Sequence, residues 1–206
     1  MKKIIVLISG QGSNLQSIIN ACYHKQINAK VVAVFSDRSS AYGLTYARKA
    51  QIPANIIIPN TFTDRQHFDF VLSQEIDRYK PDLIVLAGYM RILSNFFVNH
   101  FKGMIINIHP SLLPKYPGLN THRKVLENGD LEHGLSVHFV TNKLDSGPII
   151  TQKKIAIVPT DNEMSIIKRI KHQEHIIYPI VIKWFIEGRL IMKEEQAWLD
   201  GKKIPI

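Results

Sequence analysis

Residues 4–14 read Ile-Ile-Val-Leu-Ile-Ser-Gly-Gln-Gly-Ser-Asn, and this stretch decides the fold. The apolar run from Ile4 to Ile8 predicts a strand that is buried on both faces. The glycine-containing turn after it leads into a helix predicted over Ser13 to Lys25. A buried strand, a tight turn and a helix in this order indicate the start of an α/β fold.

The same alternation of apolar runs and amphipathic segments continues along the first half of the chain. It predicts strands over 31–35, 55–58, 83–87 and 104–109, and helices over 42–50, 65–79 and 95–101. Crossovers between such strands are right-handed, and their helices cover the sheet. The expected architecture is therefore a mostly parallel, twisted α/β sheet with helices on both faces and a Rossmann-like N-terminal half.

The pattern changes after residue 109. Prolines and glycines are frequent in 110–133, which predicts a long loop with a short helix over 121–128, and long irregular segments of this kind are usually functional. Strands are predicted over 135–139 and 148–157, a long helix over 162–187, and a small hairpin over 188–206 that turns at Asp200-Gly201. With no repeat and no linker, residues 1–206 are expected to form a single domain.

Composition excludes several classes of protein. The chain has 206 residues, of which 45% are hydrophobic and 21% charged, so it is neither a disordered tail nor a coiled coil. Cys22 is the only cysteine, which excludes an internal disulfide and a cysteine-based zinc site. No apolar run is long enough for a signal peptide or a membrane span, so a cytoplasmic location is expected. The net charge of +9 suggests an anionic partner: nucleic acid, a membrane surface, or a phosphorylated or polycarboxylate small molecule.

The turn after the first strand is a candidate anion site. Gly10 and Gly12 allow close approach to the backbone, the following helix N-terminus favours a phosphate, and Ser13 or Asn14 can add a hydrogen bond or cap the helix. Leu15 stands where a dinucleotide-binding fingerprint has its third glycine, and the Gly-Lys-Ser/Thr of a P-loop is absent. The turn therefore favours a single phosphate group, with a tight turn that binds no ligand as the alternative.

Polar residues at the end of the strand over 104–109 indicate acyl-transfer chemistry. Asn107 and His109 lie two residues apart, so both project to one face of the strand. An amide can donate to a developing oxyanion, and an imidazole can move a proton, although His109 could instead be satisfied by hydrogen bonds in the core. Asp145 precedes Gly147 in a turn, where a purely local role is common. A functional role requires Asp145 beside His109, where it would orient the ring and favour its protonated form.

Two further segments bear on ligand binding. Residues 88–93 follow a strand at the same rim, where their side chains could wall a flat aromatic ligand or simply pack against the next helix. Glu174 lies on the apolar stripe of the long helix, so its carboxylate needs a partner. That partner is either a cation in a buried ion pair or an amine or hydroxyl of a ligand. His172 and His175 form no metal-binding pattern, and no metal is expected.

Four motifs occur in an order that resembles the folate-dependent formyltransferases over residues 3–203. They are Ser9-Gly10-x-Gly12-Ser13-Asn14, Met90-Arg91-Ile92-Leu93, Asn107-Ile108-His109-Pro110-Ser111-Leu112-Leu113-Pro114 and Asp145-x-Gly147. The resemblance implies the formyltransferase fold, with 10-formyltetrahydrofolate as co-substrate and no metal. The asparagine-histidine block is shared by methionyl-tRNA formyltransferase and formyltetrahydrofolate hydrolase, which stay as alternatives. The Gly12-Ser13-Asn14 turn favours the branch that formylates the amine of 5′-phosphoribosylglycinamide in de novo purine synthesis. The same branch is favoured because no additional tRNA-binding or regulatory domain is expected.

The resemblance also implies a role for each matched residue. Asn107 and His109 stabilise the oxyanion, His109 donates a proton to the leaving folate nitrogen, and Asp145 assists the proton transfers. The ribotide and its phosphate contact Gly12, Ser13, Asn14 and Glu174, and the folate contacts Arg65, Met90, Arg91, Ile92, Leu93, Asn107 and the 141–145 loop. Asn120 replaces an expected histidine, and Lys171 stands where relatives often have glutamine.

The implied partners are two small anionic molecules, without nucleic acid or membrane, and a monomer or weak homodimer is expected. A basic nucleic-acid-binding module is the alternative from another class, but no run of basic residues exceeds two. A dinucleotide-dependent oxidoreductase is disfavoured by the missing third glycine.

Overall fold

A computed structural model describes residues 1–205, and its centre is a seven-stranded sheet. Its strands are β1 (Lys2–Ile8), β2 (Ala29–Ser36), β3 (Ala54–Ile56), β4 (Leu83–Leu86), β5 (Ile105–His109), β6 (Glu132–Phe139) and β7 (Ile149–Ala156). The helices are α1 (Ser13–Tyr23), α2 (Gly43–Lys49), α3 (Arg65–Asp77), α4 (Asn95–His100), α5 (Thr121–Glu127) and α6 (Glu163–Ile186).

The sheet has the strand order β3-β2-β1-β4-β5-β6-β7. All pairs from β3 to β5 are parallel, whereas β6 pairs antiparallel with β5 and with β7. The chain reverses direction across the sheet between β1 and β4, and open α/β sheets bind ligands at such a switch point, beside the carboxyl ends of the strands. The prediction of a mostly parallel α/β sheet is confirmed.

Helices cover both faces of the sheet because each central strand is apolar on both sides. Alternate residues of β1 enter two separate cores, one formed with α1, α2 and α6 and the other with α3 and α4. The first core contains Ile4, Val6, Ile8, Leu15, Ile18 and Ile170, and the second contains Ile5, Leu7, Phe68 and Leu72. Full burial of each such side chain stabilises the fold by roughly 1.5–3 kcal/mol.

Helix α6 is tied to the sheet beneath the carboxyl ends of β4 and β5. The fully buried Tyr178 hydroxyl lies 2.8 Å from the Leu86 carbonyl oxygen and 3.1 Å from that of Ile106, and it can donate to either. Leu86 is the last residue of β4, and Ile106 directly precedes Asn107 in β5. Tyr178 therefore places Glu174, one turn earlier on α6, near the same end of the sheet.

Several predicted boundaries differ from the structure. The long connection after β5 ends at 131 rather than 133, because β6 begins at Glu132. The third strand covers Ala54–Ile56 instead of 55–58, and a turn of 3₁₀ helix begins at Pro59. The predicted bounds of the other elements are otherwise within a few residues of those observed.

The prediction of one C-terminal hairpin is incomplete. The segment forms three antiparallel strands, β8 (Leu190–Lys193), β9 (Gln196–Leu199) and β10 (Lys202–Lys203), and Ile206 lies outside the described residues. The additional turn is formed by Glu194 and Glu195, both with positive φ. Glutamate rarely adopts this conformation, so the sequence carries no turn signal there. None of the helices within residues 1–205 combines the length and apolarity needed to cross a membrane.

Candidate active site

A cavity of about 460 Å³ opens at the carboxyl ends of β4 and β5. Its walls are formed by residues within 86–93, 107–110, 118–122 and 138–145, together with Asn14, Val98, Glu163 and Glu174. The predicted residues that it brings together are Asn14, Met90, Arg91, Ile92, Leu93, Asn107, His109, Asp145 and Glu174. Gly12, Ser13 and Arg65 are not among its lining residues, and the Arg65 side chain is exposed at the first position of α3.

Asn107 is oriented by a histidine on the neighbouring strand. Its Nδ2 donates to His138 Nε2 at 3.2 Å, since Asn107 and His138 are directly paired in the β5–β6 ladder. His138 Nδ1 lies 2.8 Å from the Phe139 carbonyl oxygen, which can only accept, so Nδ1 carries the ring proton. Burial lowers the pKa of His138, consistent with a neutral ring whose Nε2 accepts. The amide oxygen and nitrogen of Asn107 are thereby distinguished, and its second N–H is left for another acceptor.

His109 is 5% exposed and has a partner at each ring nitrogen. Nε2 lies 2.8 Å from the Tyr116 carbonyl oxygen, so this nitrogen donates. Nδ1 lies 3.4 Å from Asp145 Oδ2, within ion-pair distance of the carboxylate. The predicted proximity of Asp145 to His109 is present in the structure.

The position of the Asp145 side chain is set by its own backbone conformation and by a hydrogen bond from the backbone of Gly118. The residue has a φ of 46°, and its Oδ2 accepts the Gly118 N–H at 2.8 Å. Its Oδ1 lies 3.7 Å from His138 Nε2. The carboxylate therefore links the turn after β6 to the 110–120 segment, and its turn geometry aims it at His109 on β5.

The other end of the cavity lies at the N-terminus of α1. Gly12 occupies the N-cap with a φ of 75°, and no side chain caps the helix, so of the two roles open to Ser13 and Asn14 the cap is not observed. A Cβ on Gly12 would lie 2.4 Å from Gly43 Cα. Only glycine fits this turn, and the first N–H groups of α1 are left for an anion.

Asn14 instead pairs with Glu174. Its Nδ2 donates to Glu174 Oε2 at 2.8 Å, and its own Oδ1 is buried without a partner among residues 1–205. Burial raises the pKa of Glu174, which is 7% exposed, while the Asn14 bond and the charge of Lys171 oppose that rise. The partner of Glu174 is thus an amide rather than the cation of an ion pair.

Sequence reasoning missed several residues around this cavity. His138 alternates with apolar residues in its strand, but its contact with Asn107 depends on the β5–β6 register, which the sequence does not show. His122 Nδ1 and His133 Nε2 lie 3.0 Å apart, and burial lowers the pKa of each ring to about 4. Asn120 has a φ of 60°, a conformation in which asparagine and histidine are both enriched, so the backbone does not explain its departure from histidine.

Neither His172 nor His175 belongs to a metal-binding cluster. Throughout residues 1–205, no group of three or more histidine, cysteine, aspartate or glutamate side chains is arranged to hold a metal ion.

Comparison with known proteins identifies the class. The family model described as formyl transferase matches residues 2–182, and the chain belongs to this family. Over 98% of its length it is 56% identical to the phosphoribosylglycinamide formyltransferase of Escherichia coli (strain K12), of which the match covers 95%.

Other relatives agree. The phosphoribosylglycinamide formyltransferase of Coxiella burnetii has a TM-score of 0.95 at 50% identity, and the match covers 99% of this chain and 96% of that one. The trifunctional purine biosynthetic protein adenosine-3 of Drosophila melanogaster is 42% identical over 94% of this chain, which spans 14% of that larger protein. The resemblance seen in the sequence motifs is therefore confirmed.

Proposed function

We propose that this chain transfers the formyl group of 10-formyltetrahydrofolate to the amine of 5′-phosphoribosylglycinamide, giving formylglycinamide ribotide and tetrahydrofolate in purine biosynthesis. One observation carries the proposal. A single cavity holds Asn107, His109 and Asp145 at its centre and extends to Asn14 and Glu174 beside the α1 N-terminus. We also propose that residues 1–206 act as one formyltransferase domain in the cytoplasm.

The two substrates enter this cavity from different sides. The phosphate of the ribotide is bound by the first N–H groups of α1, at Gly12, Ser13 and Asn14. The ribotide also meets Glu174, whose carboxylate accepts from a hydroxyl or amine. The flat ring of the folate lies against Met90 to Leu93 and the 141–145 loop, where apolar side chains and backbone groups both line the wall. Arg65, exposed at the start of α3, faces solvent where an anionic folate tail can reach it.

The amine attacks the formyl carbon, forming a C–N bond and placing negative charge on the former carbonyl oxygen. The free N–H of Asn107 donates to this oxygen, and His138 keeps the amide in the donating orientation. Removal of an oxyanion donor of this kind costs roughly 3 kcal/mol of transition-state stabilisation.

Collapse of the intermediate breaks the bond between the formyl carbon and the folate nitrogen, which leaves with a proton. His109 supplies that proton, and the excess proton of the attacking amine returns to the His109–Asp145 pair, directly or through water. Because His109 Nε2 donates to the Tyr116 carbonyl, this bond must be exchanged for the substrate during the reaction. Asp145 holds the ring while the exchange occurs.

The test measures the absorbance change of the folate with both purified substrates present. Turnover that requires the ribotide is expected; no turnover, or equal turnover without the ribotide, would contradict the proposal. His109→Ala is expected to fold and to lose most activity. His100→Ala is the matched control, because His100 is a partly exposed histidine that pairs with Asp77 outside the cavity.

The proposed partners are the two small molecules, with no nucleic acid. A filter-binding assay should show no retained DNA or RNA at physiological salt, and a steep salt-dependent retention would argue for the nucleic-acid alternative. Light scattering after size exclusion is expected to show a monomer or a weak homodimer.

A further inference from the structure

The segment 90–94 is held at both ends by buried side chains from other elements. At its start, the Met90 N–H donates to Ser9 Oγ at 2.9 Å, beyond the end of β1. At its end, the Ser94 N–H donates to Asp69 Oδ2 on α3. Ser94 in turn caps α4 by accepting the Phe97 N–H. Between the two anchors, Met90 and Ile92 are about half exposed along the wall of the cavity.

Asp69 has an unusual environment for a carboxylate. It is fully buried, at 0% exposed, and its Oδ1 has no hydrogen-bond partner among residues 1–205. The Nε of Arg91 is likewise buried without a partner, and the guanidinium of Arg91 lies 4.6 Å from the ring centroid of Phe68, the residue before Asp69. Phe68 thus presents a stacking surface to Arg91, and Asp69, the next residue of α3, places a negative charge beside that surface.

A buried, half-satisfied carboxylate costs free energy, and a position that served only the fold could carry an apolar residue or a neutral amide. Burial raises the pKa of Asp69, while the Ser94 hydrogen bonds and the charges of Arg91 and Arg65 lower it. Asp69 also lies one helical turn after Arg65 on α3. The charge of Arg91, in the wall of the cavity, and that of Arg65, on α3 outside the cavity lining, therefore both act on this carboxylate.

We propose that Asp69 is a positioning residue for the folate: it fixes the 90–94 segment through the Ser94 N–H and holds Arg91 by its charge. This role rests on the proposed function, since it assigns the segment to the formyl donor. Asp69 does not contact the reacting atoms. Its loss is expected to weaken binding of the folate while leaving binding of the ribotide unchanged, because the ribotide end of the cavity is formed by α1 and α6.

Two substitutions separate the parts of this role. Asp69→Asn keeps an oxygen that can accept the Ser94 N–H but removes the charge near Arg91. Asp69→Ala removes both. Ser73→Ala is the matched control: Ser73 is a buried polar residue one turn later on α3, and within residues 1–205 its hydroxyl donates to the Phe70 carbonyl of the same helix and to no other group.

The experiment measures the Kd of 10-formyl-5,8-dideazafolate, an oxidation-stable folate analogue, by calorimetry, and KM for each substrate by steady-state kinetics. Asp69→Ala is expected to raise the Kd and the folate KM by about tenfold or more, the effect of losing a charge-assisted hydrogen bond. Asp69→Asn should raise them by about threefold or more, since it keeps that acceptor. KM for the ribotide should stay within about twofold in both variants, and Ser73→Ala should match the wild type throughout.

A purely structural role would lower the fraction of folded enzyme, which reduces kcat and leaves both KM values and the Kd unchanged. That result would overturn the positioning role. If Asp69→Ala does not fold, Asp69→Asn decides alone, and a Kd equal to the wild-type value would overturn the role. Failure of the wild-type chain to bind the analogue would instead overturn the proposed function, and the positioning role with it.

Discussion

Asp145→Asn tests the centre of the proposed mechanism, because it removes one charge and little volume. An asparagine oxygen can still accept the Gly118 N–H, which the carboxylate accepts at 2.8 Å. The turn at residue 145 has a positive φ, which asparagine also tolerates. The fold is therefore expected to persist, and any loss of activity reports on the charge facing His109.

The size of the effect follows from the 3.4 Å between His109 Nδ1 and Asp145 Oδ2. Coulomb's law gives an attraction of about 5 kcal/mol between unit charges at this separation with an effective dielectric constant near 20. Part of this attraction is offset, because the buried carboxylate pays a desolvation penalty that the neutral amide avoids. A net loss of about 3 kcal/mol is expected, which corresponds to roughly a 10²-fold fall in kcat/KM.

The assay is steady-state turnover with both substrates, with circular dichroism to confirm folding. Asp82→Asn is the control, because Asp82 pairs with Lys2 at the opposite end of the sheet and should leave kcat/KM within about twofold. A wild-type kcat in Asp145→Asn would contradict a role for the Asp145 charge in the proton transfers. So would a loss confined to KM for the ribotide, since the carboxylate is assigned to proton transfer rather than to ribotide binding.

Three more outcomes follow from the structure. Gly12→Ala should destabilise the fold by about 1–3 kcal/mol in urea unfolding and raise KM for the ribotide, because its Cβ would meet Gly43 Cα at 2.4 Å and alanine resists a positive φ. Tyr178→Phe should cost about 1–3 kcal/mol of unfolding free energy, because the buried hydrogen bond from the hydroxyl to the Leu86 or Ile106 carbonyl is lost. Acidification should destabilise the fold, because His122 and His133 have pKa values of about 4 when folded against 6.5 as model groups. The contribution of the two neutral rings to the unfolding free energy is complete above pH 6.5. It is lost as the pH falls toward 4, and the loss is up to about 3 kcal/mol per ring.

Each of these outcomes has a result that would contradict it. An unchanged ribotide KM in Gly12→Ala would remove the α1 turn from the phosphate site. Wild-type stability in Tyr178→Phe would mean that the carbonyls of β4 and β5 find other donors. An unfolding free energy that stays constant between pH 6.5 and 4 would show that the histidine pair does not resist protonation.

The sequence was most informative where a local pattern and a global requirement coincide. Ile4 to Ile8 is apolar on both faces, and only a central strand of a covered parallel sheet buries both. Gly12 could be recognised as part of a tight turn that allows close approach to the backbone, and its positive φ is an observation of the structure. Asn107 and His109 could be placed on one face from strand periodicity alone. Glu194 and Glu195 show the converse: their turn is formed by residues that carry no turn signal, so the first C-terminal hairpin was missed.

Contacts across the chain could not be derived in this way. The bond of Asn14 to Glu174 joins residues 160 positions apart and replaces the helix cap that local rules predict. The orientation of Asn107 depends on His138, and therefore on the register of two antiparallel strands. The anchoring of Ser94 by Asp69 requires α3 to pack beside the loop after β4.

Residues 4–14 were enough to establish the α/β class, and together with the asparagine-histidine strand end they predicted an anion-binding turn and acyl-transfer chemistry at the end of the fifth strand. Hydrophobic period, glycine conformation and side-chain chemistry are properties of neighbouring residues, so a sequence displays them directly. Only the tertiary structure decided which partner each polar side chain meets, because a buried donor or acceptor is satisfied by whatever group packing brings within about 3 Å. Asp145 reaches His109, and Glu174 reaches Asn14, through the packing of β6 and α6 rather than through any local signal.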